Sequence, residues 1–350
     1  MGDAAKVEIA ALDPGTASPE ELDAWCGVAS AATVEDLPDD PQLPPSVVIA
    51  RLRNPPPGER QRSWLARLEG AAAGICTLSL PDAPNKALAY VEMQATPALR
   101  RRGVGTALLS TAVGEAVAHG RTTIGTEVLA GMAGAAFAEA LGFSCGLREH
   151  RRLLAIGDLD MVALVQIVDG TPPGYRLARW SQRVPDEFID AYAAAKAAMA
   201  DAPTGDLQWR AETYDAIRWR EMEAAMERRN NELRIVVALT QPGGKVAAFT
   251  ELTVSRDAPR RATQEDTAVV LAHRGHGLGL IVKAELLRWL LSERHDVIDI
   301  ETWNADSNAH MIAVNERLGF RLDVAWLEYE APADALAERL GTTAGCPVRP

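Results

Sequence analysis

The chain has 350 residues, of which 47% are hydrophobic and 24% charged, and it carries a net charge of -12 at pH 7. That length exceeds one ordinary core and suits two domains of roughly 150 to 175 residues, and the composition excludes a disordered or fibrous chain. An acidic balance repels nucleic acid and anionic lipid while attracting a cationic partner such as an amine.

No run approaches the roughly 18 consecutive apolar residues of a membrane span, and the N-terminus lacks a basic-then-apolar signal, so a cytoplasmic location is expected. Cys26, Cys76, Cys145 and Cys346 are scattered without a C-x-x-C pair, which points to idle thiols rather than disulfides or a zinc ribbon.

In chain order, a helix is expected over residues 19–32 and an apolar strand over residues 72–80. A turn around Pro84 and Asn85 leads to a second strand over residues 87–95. Then come Arg100-Arg101-Arg102-Gly103-Val104-Gly105 and a helix over residues 106–118. A short helix over residues 159–168 is stopped by Gly170-Thr-Pro-Pro-Gly174, which cannot continue it.

After that turn the pattern returns. Helices are expected over residues 186–199 and 211–229, strands over 246–254 and 263–271, and a helix over 280–291 behind Arg274-Gly275-His276-Gly277-Leu278-Gly279. Strand 72–80 and Arg100 both recur at an offset of 174 positions, and Ala140-Leu-Gly-Phe143 recurs at 177 as Arg317-Leu-Gly-Phe320. A register kept over two strands and a glycine loop marks an internal repeat. The expected division is a first domain over residues 1–168, a linker turn over 169–174, a second domain over 175–332, and a short helix with a frayed tail over 333–350.

Each glycine loop follows a strand and opens a helix. The first helical turn has unpaired N–H groups and a partial positive charge, so it suits a phosphate, and glycine keeps side chains out of the way. Arg100, Arg101, Arg102, Arg274 and His276 add donors. A nucleoside-triphosphate loop would need Gly-Lys-Ser/Thr, which is absent. The dinucleotide fingerprint fails at Leu108 and Val282.

The run Val91-Glu-Met-Gln-Ala-Thr-Pro97 with the loop at Arg100, its second copy from Thr267 to Gly279, and the segment Thr302-Trp-Asn-Ala-Asp-Ser-Asn308 resemble the acetyl-CoA motifs of the GNAT superfamily of N-acetyltransferases. The resemblance implies an α/β (α+β) fold class: two tandem domains, each a mixed, mostly antiparallel twisted sheet of about seven strands flanked by helices. It implies an acyltransferase that moves acetyl from acetyl-CoA directly to the amine of a small molecule, without a metal. The pantetheine arm would then pair with backbone of Met93 and Ala95, and of Thr267 and Val269, in a gap between two splayed strands. The pyrophosphate would lie on Gly103, Val104, Gly105 and Thr106, and on Gly275, Gly277, Leu278 and Gly279.

The tyrosine that many relatives place four residues before the Leu-Gly-Phe glycine is Ala138 in the first copy and Asn315 in the second. The family's asparagine after strand five is Asn308 in the second copy but Gly131 in the first. The second copy is therefore the more complete one. Glu92, Glu251, Asp266 and Glu301 lie on strands bordering the cleft, with Glu251 and Asp266 favoured as catalytic base. His273 and His276 lack a third ligand for a metal.

Two other readings stay open. The tandem arrangement is similar to that of mycothiol synthases, which acetylate a cysteinyl amine. The absent tyrosines suit a coenzyme-A-binding scaffold without catalysis. The chain is expected to be a monomer, its halves packed as a pseudo-dimer, or a homodimer.

Overall fold

In the computed structural model, which describes residues 6–342, secondary structure follows the hydrophobic patterning closely. Ser18 caps the first helix and Glu21 returns the bond to the Ser18 backbone, a reciprocal arrangement that satisfies two orphan N–H groups. Asp160, Asp215 and Asn308 likewise cap helices with their side chains.

The chain divides into two compact units, Met1–Arg148 with Gly205–Trp209 and Trp326–Pro350, and Glu149–Thr204 with Arg210–Ala325. In the first unit β1 (Val7–Leu12), β2 (Glu59–Leu68), β3 (Ala71–Pro81) and β4 (Leu88–Ala95) pair antiparallel in sequence. Next, β4 pairs parallel with β5 (Thr123–Leu129). The helices are α1 (Pro19–Asp36), α2 (Pro45–Arg53), α3 (Val104–Ala118) and α4 (Ala133–Ala140). The α2 helix has no counterpart in the sequence reading. Along α3, Val104, Leu108, Leu109, Ala112 and Val113 are buried against the sheet. A Cβ at Gly74 on β3 would fall 2.7 Å from Val104, so that glycine lets α3 and its leading loop sit close to the strands.

The second unit begins within β6 (Ser144–Ala155), followed by α5 (Met161–Asp169) and β7 (Tyr175–Ser181). Helices α6 (Ile189–Lys196) and α7 (Ala216–Arg228) precede β8 (Asn231–Thr240), β9 (Val246–Ser255) and β10 (Arg261–Val269). Then follow α8 (Leu278–Glu293), β11 (Asp299–Ala305), α9 (Ala309–Arg317), β12 (Arg321–Pro332) and α10 (Ala333–Arg339). β7 to β10 pair antiparallel in sequence, and β10 pairs parallel with β11. β8 and β9 are buried along nearly their whole length, as expected for strands covered on both faces.

The units depart from a division at residues 169–174 in two respects: the segment Gly205–Trp209 belongs to the first unit, and strands are exchanged. β11 is completed by residues 149–155 of β6, from the first half of the chain, whereas β5 is completed by residues 326–332 of β12, from the second half. Among the described residues each unit thus holds five whole strands of its own and one part each of β6 and β12, about seven in all, with one of those parts supplied by the other half. Leu327, Tyr329, Ala331 and Leu336 are buried in the core of the first unit, and Leu154 in that of the second. Sequence adjacency does not foretell such an exchange, because either strand offers apolar residues at the right spacing.

Among the described residues no helix is long and apolar enough to cross a membrane. Cys26 and Cys76 are buried and Cys145 exposed, all three free; Cys346 and the predicted frayed tail from residue 343 lie outside the described residues.

Candidate active site

The two glycine loops have the same backbone shape. Left-handed residues fall at Arg101 and Gly103 in one, and at Gly275 and Gly277 in the other, positions that match at the offset of 174. Gly103 and Gly277 are the N-caps of α3 and α8, and neither cap position supplies a side-chain hydrogen bond. The first intrahelical bonds are Ala107 N–H to the Gly103 carbonyl at 3.0 Å and Ile281 N–H to the Gly277 carbonyl at 3.2 Å. The N–H groups of the first turn, which include those of Val104, Gly105, Thr106, Leu278 and Gly279, are thus the orphan donors of a helix start. A Cβ at Gly103 or Gly275 would meet nothing within 4 Å, and one at Gly277 only Ile281 at 4.0 Å. Space above both cradles is open. Gly105 and Gly279 instead face ordinary packing, with Phe137 at 3.7 Å and Val269 at 3.5 Å from the added atom.

The loop arginines have protein partners. Arg100 Nε donates to the Ala95 carbonyl at 3.2 Å and its two terminal nitrogens hold Asp36, the last residue of α1, at 2.7 Å each. Arg274 repeats this, with Nε on the Val269 carbonyl at 3.2 Å and Nη2 on Asp201 at 2.5 Å. Arg102 pairs with Glu69 at 3.0 Å. These guanidinium groups anchor each loop to its strand and to a helical segment. His276 Nδ1 lies 3.2 and 3.0 Å from the His273 and Arg274 carbonyls, and His273 faces the Tyr175 hydroxyl at 3.0 Å.

Beside the cradles the strands part. β4 and β5 are in register only from Leu88↔Thr123 to Tyr90↔Gly125, and β10 and β11 only from Arg261↔Asp299 to Thr263↔Glu301. Met93 and Ala95, and Thr267 and Val269, lie beyond those points and remain paired on their other side with β3 and β9. Parting strands leave backbone groups that an extended ligand can pair with. In the second unit Asn315 on α9 donates to Asn304 Oδ1 on β11 at 2.6 Å, while its own Oδ1 is buried without a partner. A buried acceptor left unmade is costly, and an amide-bearing ligand in the gap would satisfy it. Asn308, in contrast, accepts from the Met311 N–H at 3.3 Å as a helix cap.

The two units differ at the strand before the cradle. In β10 the register with β9 shifts between Gln264↔Leu252 and Thr267↔Thr250. Two residues, Glu265 and Asp266, stand opposite one, Glu251, which is a β-bulge. Simple alternation would send Glu265 and Asp266 to opposite faces; the bulge lets both line one cavity with Glu251. In the first unit β3 and β4 stay in register from Gly74↔Ala95 to Ser79↔Tyr90. There Thr77 takes the place of Glu251 and Glu92 that of Asp266, while Val91, opposite Leu78, takes that of Gln264 opposite Leu252, so Glu265 is the extra residue with no counterpart. Arg51 opposes the burial that pushes the Glu92 carboxyl up. Glu301, on β11, is engaged by Arg151 at 3.6 Å and Thr263 at 3.1 Å.

That cavity, about 160 Å³, is walled by Tyr214, Trp219, Met222, Met226 and Leu233, with Lys196, Glu251, Thr253, Glu265 and Asp266 as its polar groups. Lys196 Nζ donates to Glu251 Oε1 at 2.8 Å and to Asp266 Oδ2 at 2.5 Å. Burial pulls the Lys196 ammonium down, but the two carboxylates outweigh it and hold it above the ordinary lysine range. Burial pushes Glu251 up while Lys196 pulls it back, and the Tyr192 hydroxyl also donates to it. Glu265 is different. Burial pushes its carboxyl up to about 7, and Thr253 Oγ1 donates to it at 2.8 Å. A carboxyl poised near neutrality beside a cavity is suited to taking a proton. The two carboxylates favoured from sequence are thus tied to Lys196, and Glu265 lies beside them on the same cavity.

The model of the acetyltransferase (GNAT) family matches residues 28–143 and 196–320. The chain belongs to that family. It is similar to a solved structure described as a tandem GNAT protein from the clavulanic acid biosynthesis pathway, at 27% identity and a TM-score of 0.79, over 94% of this chain and 99% of that one. A GCN5-related N-acetyltransferase from Sphaerobacter thermophilus shares the fold at 14% identity, with a TM-score of 0.68 over 93% and 96% of the two chains. No curated protein matches the sequence. Both halves of this acyltransferase chain are therefore GNAT folds in tandem.

Proposed function

We propose that this GNAT protein is an acetyl-CoA-dependent N-acetyltransferase for a small-molecule amine and that its second unit carries the reaction. The observation that carries this reading is the bulge in β10, which sets Glu265 and Asp266 opposite Glu251 where β10 and β11 begin to part.

Acetyl-CoA, when bound, supplies an activated acyl group. The residues that would hold it are the first-turn N–H groups of α8 behind Gly277, the β10 backbone near Thr267 and Val269, and Asn315 through its orphaned Oδ1. Glu265 receives the proton that an ammonium must lose before its nitrogen becomes nucleophilic, and a carboxyl near 7 does so without a large energetic penalty in either direction. Lys196 bridges Glu251 and Asp266, fixing the floor of the cavity. Asn315 stands where many relatives have tyrosine; its amide can hold a group but cannot release a proton, so thiolate protonation is left to water. The first unit has the cradle but no bulge and one carboxyl, and it fits a role in coenzyme A binding without turnover.

Thiol release from acetyl-CoA with a panel of amines tests the reading. Release should vanish in Gly277→Asp and persist in part in Gly103→Asp; the reverse would place the chemistry in the first unit. Thermal stabilisation by coenzyme A without release for any amine would favour a scaffold.

A further inference from the structure

The cavity of the second unit has an unusual charge inventory. Glu251, Glu265 and Asp266 face one basic side chain, Lys196, among the residues that line it. Counted as ions, these groups leave two negative charges unmatched, and Lys196 is already committed to two of the carboxyls at 2.8 and 2.5 Å. Opposite them the wall is aromatic and thioether.

Lys196 itself reports what this lining can hold. Its Nζ lies 5.2 Å from the Tyr214 ring centroid, 5.1 Å from Trp219 and 5.2 Å from Phe249. Aromatic faces attract cations at such distances, more strongly once water is removed. An ammonium between rings and carboxylates is therefore already stable here, and unmatched negative charge remains for another. A carboxylate brought in beside an amine would meet only acids and a lysine with no charge to spare, and desolvating it without a partner is expensive.

We infer that the acceptor is a compact apolar-bodied cation, a protonated primary amine bearing no carboxylate, whose nitrogen seats beside Glu265 and Asp266 while its body packs on Tyr214, Trp219, Met222 and Met226. This rests on the acetyltransferase reading above and names the acceptor class that reading leaves open. Free amino acids and peptide C-termini are excluded as acceptors by the same charges.

Isothermal titration at pH 8 tests it with three probes of one skeleton, 2-phenylethylamine, L-phenylalanine and 2-phenylethanol, each with and without saturating coenzyme A. The amine should bind at least tenfold more tightly than either analogue in one arm or both. Glu265→Gln should weaken the amine at least tenfold while coenzyme A binds that variant as before, which also shows that it is folded. Binding of phenylalanine or the alcohol as tight as that of the amine overturns the inference. So does absence of amine binding in a chain that binds coenzyme A, with the acetyltransferase reading left intact. Selective amine binding in a chain that refuses coenzyme A would uphold the cation site and remove the acetyltransferase reading instead.

Discussion

Glu265→Gln separates stability from activity in a way that only a raised carboxyl at a half-buried position can. The folded chain holds the Glu265 proton up to about pH 7, against 4.5 for an ordinary glutamate. A raised folded value means that ionisation costs stability. The cost is absent below 4.5, grows between 4.5 and 7, and is complete above. At about 1.4 kcal/mol per pKa unit it reaches an upper bound of roughly 3 kcal/mol. Glutamine keeps the oxygen that accepts from Thr253 and has nothing to ionise. The variant should match the parent near pH 4.5 and exceed it at pH 8 by up to that amount, a rise of several °C in unfolding temperature. Over the same range the parent's kcat/KM should climb with pH about a midpoint near 7, and that limb should be missing from the variant. Calorimetric scans at pH 5 and 8, with initial rates across the interval, read both effects. A variant no more stable at pH 8 than the parent, or one that keeps the limb, would refute the assignment of Glu265.

Three further outcomes follow from the same geometry. Arg101→Gly should raise the stability of the first unit by about 0.5 to 1 kcal/mol, since Arg101 holds a left-handed conformation at φ 64 that glycine adopts freely; urea denaturation measures it. Gly277→Asp should cost at least tenfold in coenzyme A affinity to the second unit, because a carboxylate is then aimed at the place of a diphosphate; calorimetry that resolves one site lost and one kept would bear this out, and two sites kept would not. A stop after Ala325 should abolish slow hydrogen exchange in residues 123–129, whose partner strand it removes, and protection at parental level there would contradict the strand pairing.

The repeat, the glycine loops and most helices and strands were legible because they depend on local patterns: apolar spacing, Asp or Asn at caps, glycine where φ is positive. What escaped depends on contacts distant in sequence. Arg100 and Arg274 look like phosphate ligands until Asp36 and Asp201, 64 and 73 positions away, are seen to hold them. Asn308 reads as a ligand, yet an asparagine immediately before a helical stretch is also an ordinary cap. Strand alternation assigns Glu265 the face opposite Asp266, and one extra residue in β10 reverses that assignment. The bulge has no sequence signature of its own; Gln264-Glu-Asp-Thr267 carries no glycine to announce it.

The exchange of β6 and β12 has a consequence for biogenesis. As the chain leaves the ribosome, its first half emerges with a sheet edge that nothing yet covers, because the strand that belongs there follows the whole of the second repeat's sheet in sequence. The opening half must wait, exposed to chaperones and to pairing with other nascent chains, until β12 has been made. Cutting the gene at the repeat boundary would therefore yield two fragments, each lacking one strand, rather than two independent enzymes.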